Sequence, residues 1–379
     1  MISIPHREMR SYDNKRPKMI SVLNDMAMSV HRNDTSPSNA TVEKVPTNSI
    51  ISEPKWDFMA GFYITAIILT LPTNGTVLSA FFSRRSLRTP FNIYLMNLLS
   101  ANILNATLQN IPDLLNHLYP AFRLGDTYCS ALVFSLYLFN AGVQNCHILI
   151  AVNRIWAVFW PYSYRHSHTK RVALVMCLAG WVEVSVLVLP SLVLDTMYYR
   201  TDTANGCNFN IAAQWGWSTV LQFLVYNMGL YVMWIAYPLI WYKRRQSLKV
   251  VLSPAPATPA TTRSHLLGLR QLRSLEDADS ENTSNEGHRP LAASLSSQKR
   301  SSKAFTVLTV MTISVTICWT PIHTFYTLLL WLPFDRIGQL ALDIGVILCS
   351  LQSFIDPILL VCTLPDLRES LRRTINKQA

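Results

Sequence analysis

The chain has 379 residues, of which 50% are hydrophobic and only 15% charged, with a formal net charge of +11. An average soluble domain carries about 25% charged residues, so the composition points to lipid as the solvent, and the bunching of apolar residues excludes a soluble enzyme, which would spread them at a period of 2 or 3.6. Runs this long and continuous also exclude a β-barrel, whose strands alternate over about ten residues.

In chain order, residues 1–57 are polar and broken by charges, and read as a disordered tail with no legible signal peptide. Two glycosylation sequons, at Asn33 and Asn39, lie in it. Seven apolar segments follow, at 58–82, 92–117, 129–160, 172–194, 214–242, 304–331 and 338–363. Each is long enough to cross a hydrocarbon core of about 30 Å as a helix rising about 1.5 Å per residue. The predicted fold class is an all-α membrane protein, a seven-helix bundle with an amphipathic eighth helix. Residues 58–245 hold the first five spans and 303–363 the last two. Between them, 246–302 is rich in Ser, Pro, Ala and Thr and reads as a disordered loop that cannot bury enough apolar surface to offset ordering entropy. In 364–379, Leu364, Leu367 and Leu371 form one stripe with Arg368, Arg372 and Arg373 on other faces, an amphipathic helix lying on a membrane surface.

The basic residues occupy alternate loops: Arg84, Arg85 and Arg88; Arg165, Lys170 and Arg171; Lys243, Arg244 and Arg245. That is the positive-inside pattern, which places the N-terminus outside and the C-terminus in the cytoplasm of a multi-pass plasma-membrane protein. The charge orients the chain in lipid and does not recruit nucleic acid. Of seven cysteines, five lie within spans; Cys129 and Cys207 both face the oxidising side, so a Cys129–Cys207 disulfide is expected to pin the loop over the bundle. No metal-ligand spacing occurs, and no cofactor is implied.

One landmark per span then carries a resemblance. Asn74 and Val77 in "TNGTVL", Asn102 closing "NLLSAN", Cys129 and "NRI" from Asn153, Trp181 in "GWVEV", Tyr237 in "YPLIWYKRR", "CWTP" ending at Pro321 and "DPILL" from Asp356 occur in order. Together they resemble the rhodopsin-like (class A) G protein-coupled receptors. The resemblance implies a receptor, not an enzyme, with a heterotrimeric G protein, arrestin and a receptor kinase as partners. It implies that Asn153, Arg154 and Tyr237 serve coupling. It also implies that Trp319, Pro321, Asn74, Asn102 and Asp356 form the activation switch, with the sixth helix kinked at Pro321 and swinging outward.

Four departures stand out. Asn153 replaces the usual carboxylate, so Arg154 is less restrained and raised basal signalling is expected; Arg154 itself is expected to snorkel or to pair with backbone carbonyls and a partner protein. Asn102 and Asp356 exchange the usual Asp and Asn, and direct contact between them is expected. Val143 and Phe139 supply no oxygen for a sodium ion beside them. Gly229 and Leu360 stand where the family has a proline and a tyrosine.

For the ligand, Leu136 occupies the position at which amine receptors of the family carry aspartate, and the last span has no lysine for a retinal Schiff base. The candidate pocket residues are Gln109, Asp113, Tyr137, Asn140, His323, Tyr326 and Asp343. The acidic pair among aromatic neighbours favours a peptide ligand and disfavours an amine. An atypical scavenging or arrestin-biased receptor and a seven-helix transporter are the alternative readings.

Overall fold

The computed structural model describes residues 53–119, 126–200, 209–211, 213–252, 289–332 and 336–378. The sequons at Asn33 and Asn39, Cys207, most of the tail and the middle of the 246–302 segment lie outside these residues.

The described elements are helical throughout: α1 Phe58–Ser83, α2 Pro90–Asn105, α3 Ile111–Leu118, α4 Asp126–Phe159, α5 Pro161–Ser167, α6 Lys170–Leu194, α7 Trp215–Leu221, α8 Met228–Leu252, α9 Arg289–Leu329, α10 Arg336–Thr363 and α11 Pro365–Gln378. Local chemistry sets where several of them begin. Asp57 accepts the Ala60 N–H at 3.0 Å ahead of α1. Thr89 accepts the Asn92 N–H at 3.2 Å, with Pro90 in the first position of α2. Thr169 does the same for Val172 at 3.3 Å ahead of α6. The Ala60 N–H holds the Asp57 carboxyl below its ordinary range.

Three one-turn π segments interrupt the long helices: Ala106–Asn110 joins α2 to α3, Asp195–Tyr199 ends α6, and Gln222–Asn227 joins α7 to α8. The last explains how the chain manages with Gly229 in place of a proline. Gln144 Nε2 donates to the Tyr226 carbonyl at 2.8 Å, capturing a backbone group that the widened turn leaves available. A Cβ on residue 229 would come within 2.5 Å of the Gln144 side chain, so glycine is what admits that contact.

Five described helices are long and apolar enough to cross a membrane: Phe58–Ser83, Asp126–Phe159, Lys170–Tyr199, Trp215–Lys243 and Leu340–Thr363. The segment expected at 92–117 is instead divided by the π turn into α2 and α3, of 16 and 8 residues. The edges also move. α8 runs on to Leu252 and α9 begins at Arg289, shortening at both ends the loop read over 246–302, because the flanking stretches are rich in Leu, Lys, Arg, Ala and Gln, good helix formers.

The core runs along the bundle axis through Leu95, Leu98, Leu99, Ile150, Met233, Met311 and Leu360. Leu360, at the position of the family tyrosine, is fully buried. Trp181 crosses from α6 to donate to Asn97 Oδ1 on α2 at 3.1 Å, passing over Gly142 of α4, where a Cβ would lie 2.5 Å from its ring. Outside, Ile68, Val175, Val182, Val186, Ile235 and Ile317 are exposed. An apolar surface on this scale belongs in hydrocarbon.

The apolar stripe of α11 packs on protein. Leu367 is buried in the main core, with Leu364 and Leu371 packed against it, so the stripe docks on the bundle end. Arg368 donates to the Cys362 carbonyl at 2.6 Å, satisfying an otherwise unpaired carbonyl at the end of α10.

Beyond α6, the buried Asp195 receives Arg200 at 3.1 Å and the Asn210 N–H at 2.9 Å, while Arg200 also donates to Ser130 of α4 at 2.6 Å. This cluster fastens the connection between α6 and α7 to the bundle. Removing one partner of a buried, hydrogen-bonded pair costs about 3–5 kcal/mol, so Asp195→Asn is expected to lower the thermal unfolding midpoint of the purified protein markedly, and Arg200→Lys less so.

Candidate functional site

Three polar features lie along the bundle axis. The first is a cavity of about 580 Å³ at the end where α3 and α9 finish. Gln109, Asp113, Tyr137, Asn140, His323 and Tyr326 all line it, with Tyr63, Tyr128, Tyr226 and Trp319. Asp343 is not among the described lining residues, although it and Asp113 both act on Tyr63 of the wall. Among the described lining residues Asp113 alone is a carboxylate, and none is a lysine or arginine. Asn105 donates to Gln109 Oε1 at 2.8 Å and to Asn140 Oδ1 at 3.3 Å, fixing one wall. Trp319 stacks on His323 at 5.4 Å, and both nitrogens of that buried imidazole lack a hydrogen-bond partner in the structure. Pro321 interrupts α9 two residues beyond Trp319.

The second feature is the polar centre below the cavity. Asn74 donates to the Ser353 carbonyl at 2.8 Å, and Asn102 reaches Asn74 Oδ1 at 3.2 Å and Asp356 Oδ2 at 3.3 Å. Asn74, Asn102 and Asp356, expected to act together, are joined through Asn102. Gln352 donates to the other Asp356 oxygen, with its own carbonyl held by Ser314 at 2.9 Å. His147 of α4 brings Nε2 to 3.4 Å from Asp356 Oδ2, with both groups buried. The sequence reading missed His147. The signal was present, an ionisable residue inside an apolar run, which in lipid is a functional position by default.

The third feature is at the opposite end. Arg154 is 9% exposed and lays its guanidinium over the Phe91 ring, 3.1 Å from the ring centroid. It neither snorkels nor pairs with backbone carbonyls as expected, because α2 presents an aromatic face where a planar cation stacks. Asn153 is engaged elsewhere. Its Nδ2 lies 3.0 Å from His168 Nε2, and its Oδ1 accepts the Tyr164 hydroxyl at 3.3 Å. The Tyr94 hydroxyl approaches the same His168 nitrogen at 3.3 Å, and the ring is stacked on Tyr164 at 4.3 Å. Tyr237 sits half-buried on α8.

Two donors converging on Nε2 require that nitrogen to be unprotonated, so His168 is neutral with its proton on Nδ1. Burial, and secondly the Arg154 guanidinium, push its pKa below the usual value. An unfolded histidine charges below about pH 6.5. As pH falls through that point the unfolded chain takes up a proton that folded His168 refuses, so stability declines on acidification. A pH series of unfolding midpoints is expected to fall more steeply for the native chain than for His168→Phe.

Of the expected disulfide, Cys129 is disulfide-bonded and Cys207 lies outside the described residues. Cys146, Cys177, Cys318, Cys349 and Cys362 are free.

An apolar helical bundle with a polar-lined cavity at one end and a buried arginine at the other is the architecture of a multi-pass membrane protein. The comparisons narrow this. A family profile described as "7 transmembrane receptor (rhodopsin family)" matches residues 73–360, and the chain belongs to that family, whose members are plasma-membrane receptors rather than enzymes. The transporter alternative falls with that assignment.

Among curated proteins the chain is similar to the alpha-2Db adrenergic receptor of Danio rerio, 34% identical over 134 residues covering 35% of this chain and 32% of that protein. It is 33% identical to the alpha-2B adrenergic receptor of Talpa europaea over 160 residues, 40% of this chain and 38% of that protein. The cholecystokinin receptor type A of Homo sapiens is 23% identical over 329 residues, 78% and 75% of the two chains. The match spans about a third of the length of the adrenergic relatives. The preference for a peptide over an amine is overturned here. The adrenergic relatives are amine receptors and match at higher identity than the cholecystokinin receptor.

Proposed function

We propose that the protein is a G protein-coupled receptor for a small cationic ligand, an amine in the protonated state, with Asp113 as its counter-ion. The observation that carries this is the cavity lining: among the described residues one carboxylate and no lysine or arginine, with His117 engaged by Asp57 at 2.7 Å, and tyrosines at positions 63, 128, 137 and 326 as aromatic surface for a desolvated cation. The resemblance to adrenergic receptors supports the same ligand class. The counter-ion then comes from α3 rather than from Leu136 on α4.

In this reading the chain crosses the membrane seven times, with the cavity outside and Arg154 at the cytoplasmic face. Cys129 is bridged to Cys207, Asn33 and Asn39 carry glycans, and α11 lies along the inner leaflet while docked on the bundle. Ligand contact passes through His323 to the stacked Trp319 and swings α9 outward about Pro321. The Arg154 end then opens to the G protein, with Tyr237 and Asn153 alongside, and arrestin and a receptor kinase act on the open form. Because Asn153 is held by His168 and Tyr164, it does not restrain Arg154, which supports raised basal signalling.

The test is a thermal-shift panel on the purified full chain, pairing aromatic amines with uncharged isosteres in which hydroxyl replaces the amine. Stabilisation by an amine and not by its isostere is the expected result. Equal shifts by both members of each pair would refute the cationic assignment.

A further inference from the structure

Asp356 is completely buried, and each of its oxygens receives an amide donor, Gln352 on Oδ1 and Asn102 on Oδ2. Ser314 fixes the Gln352 amide so that its NH2 faces the carboxyl, and both carboxyl oxygens are thereby used as acceptors. The arrangement fits a carboxylate. A carboxylate with no counter-charge is not tolerated in an apolar interior. The group at ion-pair distance is His147 Nε2, at 3.4 Å and 2% exposed, and neither of its ring nitrogens has a hydrogen-bond partner in the structure.

The surroundings limit the alternatives. Helices α1 and α2 present Asn74 and Asn102, which do not titrate. α4 adds Cys146, close enough to feel the Asp356 charge, and α9 adds Cys318, likewise. α10 adds Gln352 and Ser353. None of these supplies positive charge. Val143, one turn from His147, is buried and carries no oxygen with which to hold a metal cation.

We infer that His147 and Asp356 together form a buried proton-binding site bridging α4 and α10, in which the imidazolium supplies the positive charge required by the polar centre. The ligand of this site is a proton rather than a metal ion. The site belongs to the bundle itself, so it stands independently of which ligand enters the cavity and of coupling to a G protein.

Isotope-labelled histidine NMR on the full chain in lipid nanodiscs tests this. The His147 signal is assigned by its absence from His147→Gln, or from His147→Phe should the first variant fail to fold. At neutral pH the native chain is expected to show an imidazolium signal for this residue, and Asp356→Asn a neutral ring. A neutral ring in the native chain, or a protonated ring in both, would overturn the assignment.

Thermal unfolding gives a second readout, of whether a metal ion supplies the counter-charge instead. Replacing sodium by choline leaves the midpoint unchanged. A saturable, sodium-specific rise would assign the counter-charge to a metal ion and contradict the site.

Discussion

Asn102→Asp is expected to abolish cell-surface receptor or its signalling, and Asn102→Asp combined with Asp356→Asn to restore it. Asn102 Nδ2 lies 3.3 Å from Asp356 Oδ2, so the single substitution sets a second carboxylate against the first. At that separation two like charges repel by about 5 kcal/mol at an effective dielectric of 20, comparable to the whole stability of many domains. His147 can neutralise one carboxylate, not two. The double exchange returns the site to one carboxylate and one amide, with the negative charge still near the imidazole, because His147 approaches the oxygen that faces Asn102. Surface expression and the unfolding midpoint of all three variants measure this. Failure of the rescue, with both single variants folded, would mean that the two side chains do not act as one unit.

The second large effect is expected at Asp113. Asp113→Asn keeps the size of the side chain and removes the one carboxylate of the cavity wall among the described residues. Truncating one partner of a desolvated charge pair costs about 2–5 kcal/mol in binding, which is about 30-fold to several thousand-fold in amine potency. Surface expression should be unaffected, since Asp113 is only partly buried and no ion pair holds it among the described residues. Retained potency in a concentration–response series would place the counter-ion elsewhere.

The sequence was informative where the physics is local or cumulative. Apolar length located the membrane segments, though α8 and α9 run on well past their expected edges at 242 and 304, and the basic loops supplied an expected orientation. The direct contact of Asn102 with Asp356 followed from the cost of an isolated intramembrane carboxylate. What escaped depends on which helix faces turn toward each other. Nothing local marks Phe91 as the platform for Arg154, or His168 as the residue that occupies Asn153, since each pair joins elements far apart in the chain. His147 was legible as an ionisable residue in an apolar run, yet the choice of Asp356 as its partner needed α4 and α10 in register. The π turns were invisible for a different reason, because a one-residue widening leaves no compositional trace.

Ligand class was misjudged by inspecting one position. The absence of aspartate at Leu136 removed one counter-ion, whereas the cavity is lined by residues from most of the helices and receives its carboxylate from Asp113. A carboxylate can serve a cation from any wall of a closed cavity, so the charge of the whole lining, rather than of one helix position, is what constrains the ligand.

The most direct measurement of the central claim is guanine-nucleotide exchange on a panel of purified heterotrimeric G proteins by the receptor in lipid nanodiscs, with and without the amines that stabilise it. The account predicts exchange above that of the G protein alone, raised further by an amine and lost in Arg154→Ala with the fold preserved. Amine binding without any exchange on any G protein, or exchange unaffected by loss of the Arg154 guanidinium, would contradict it.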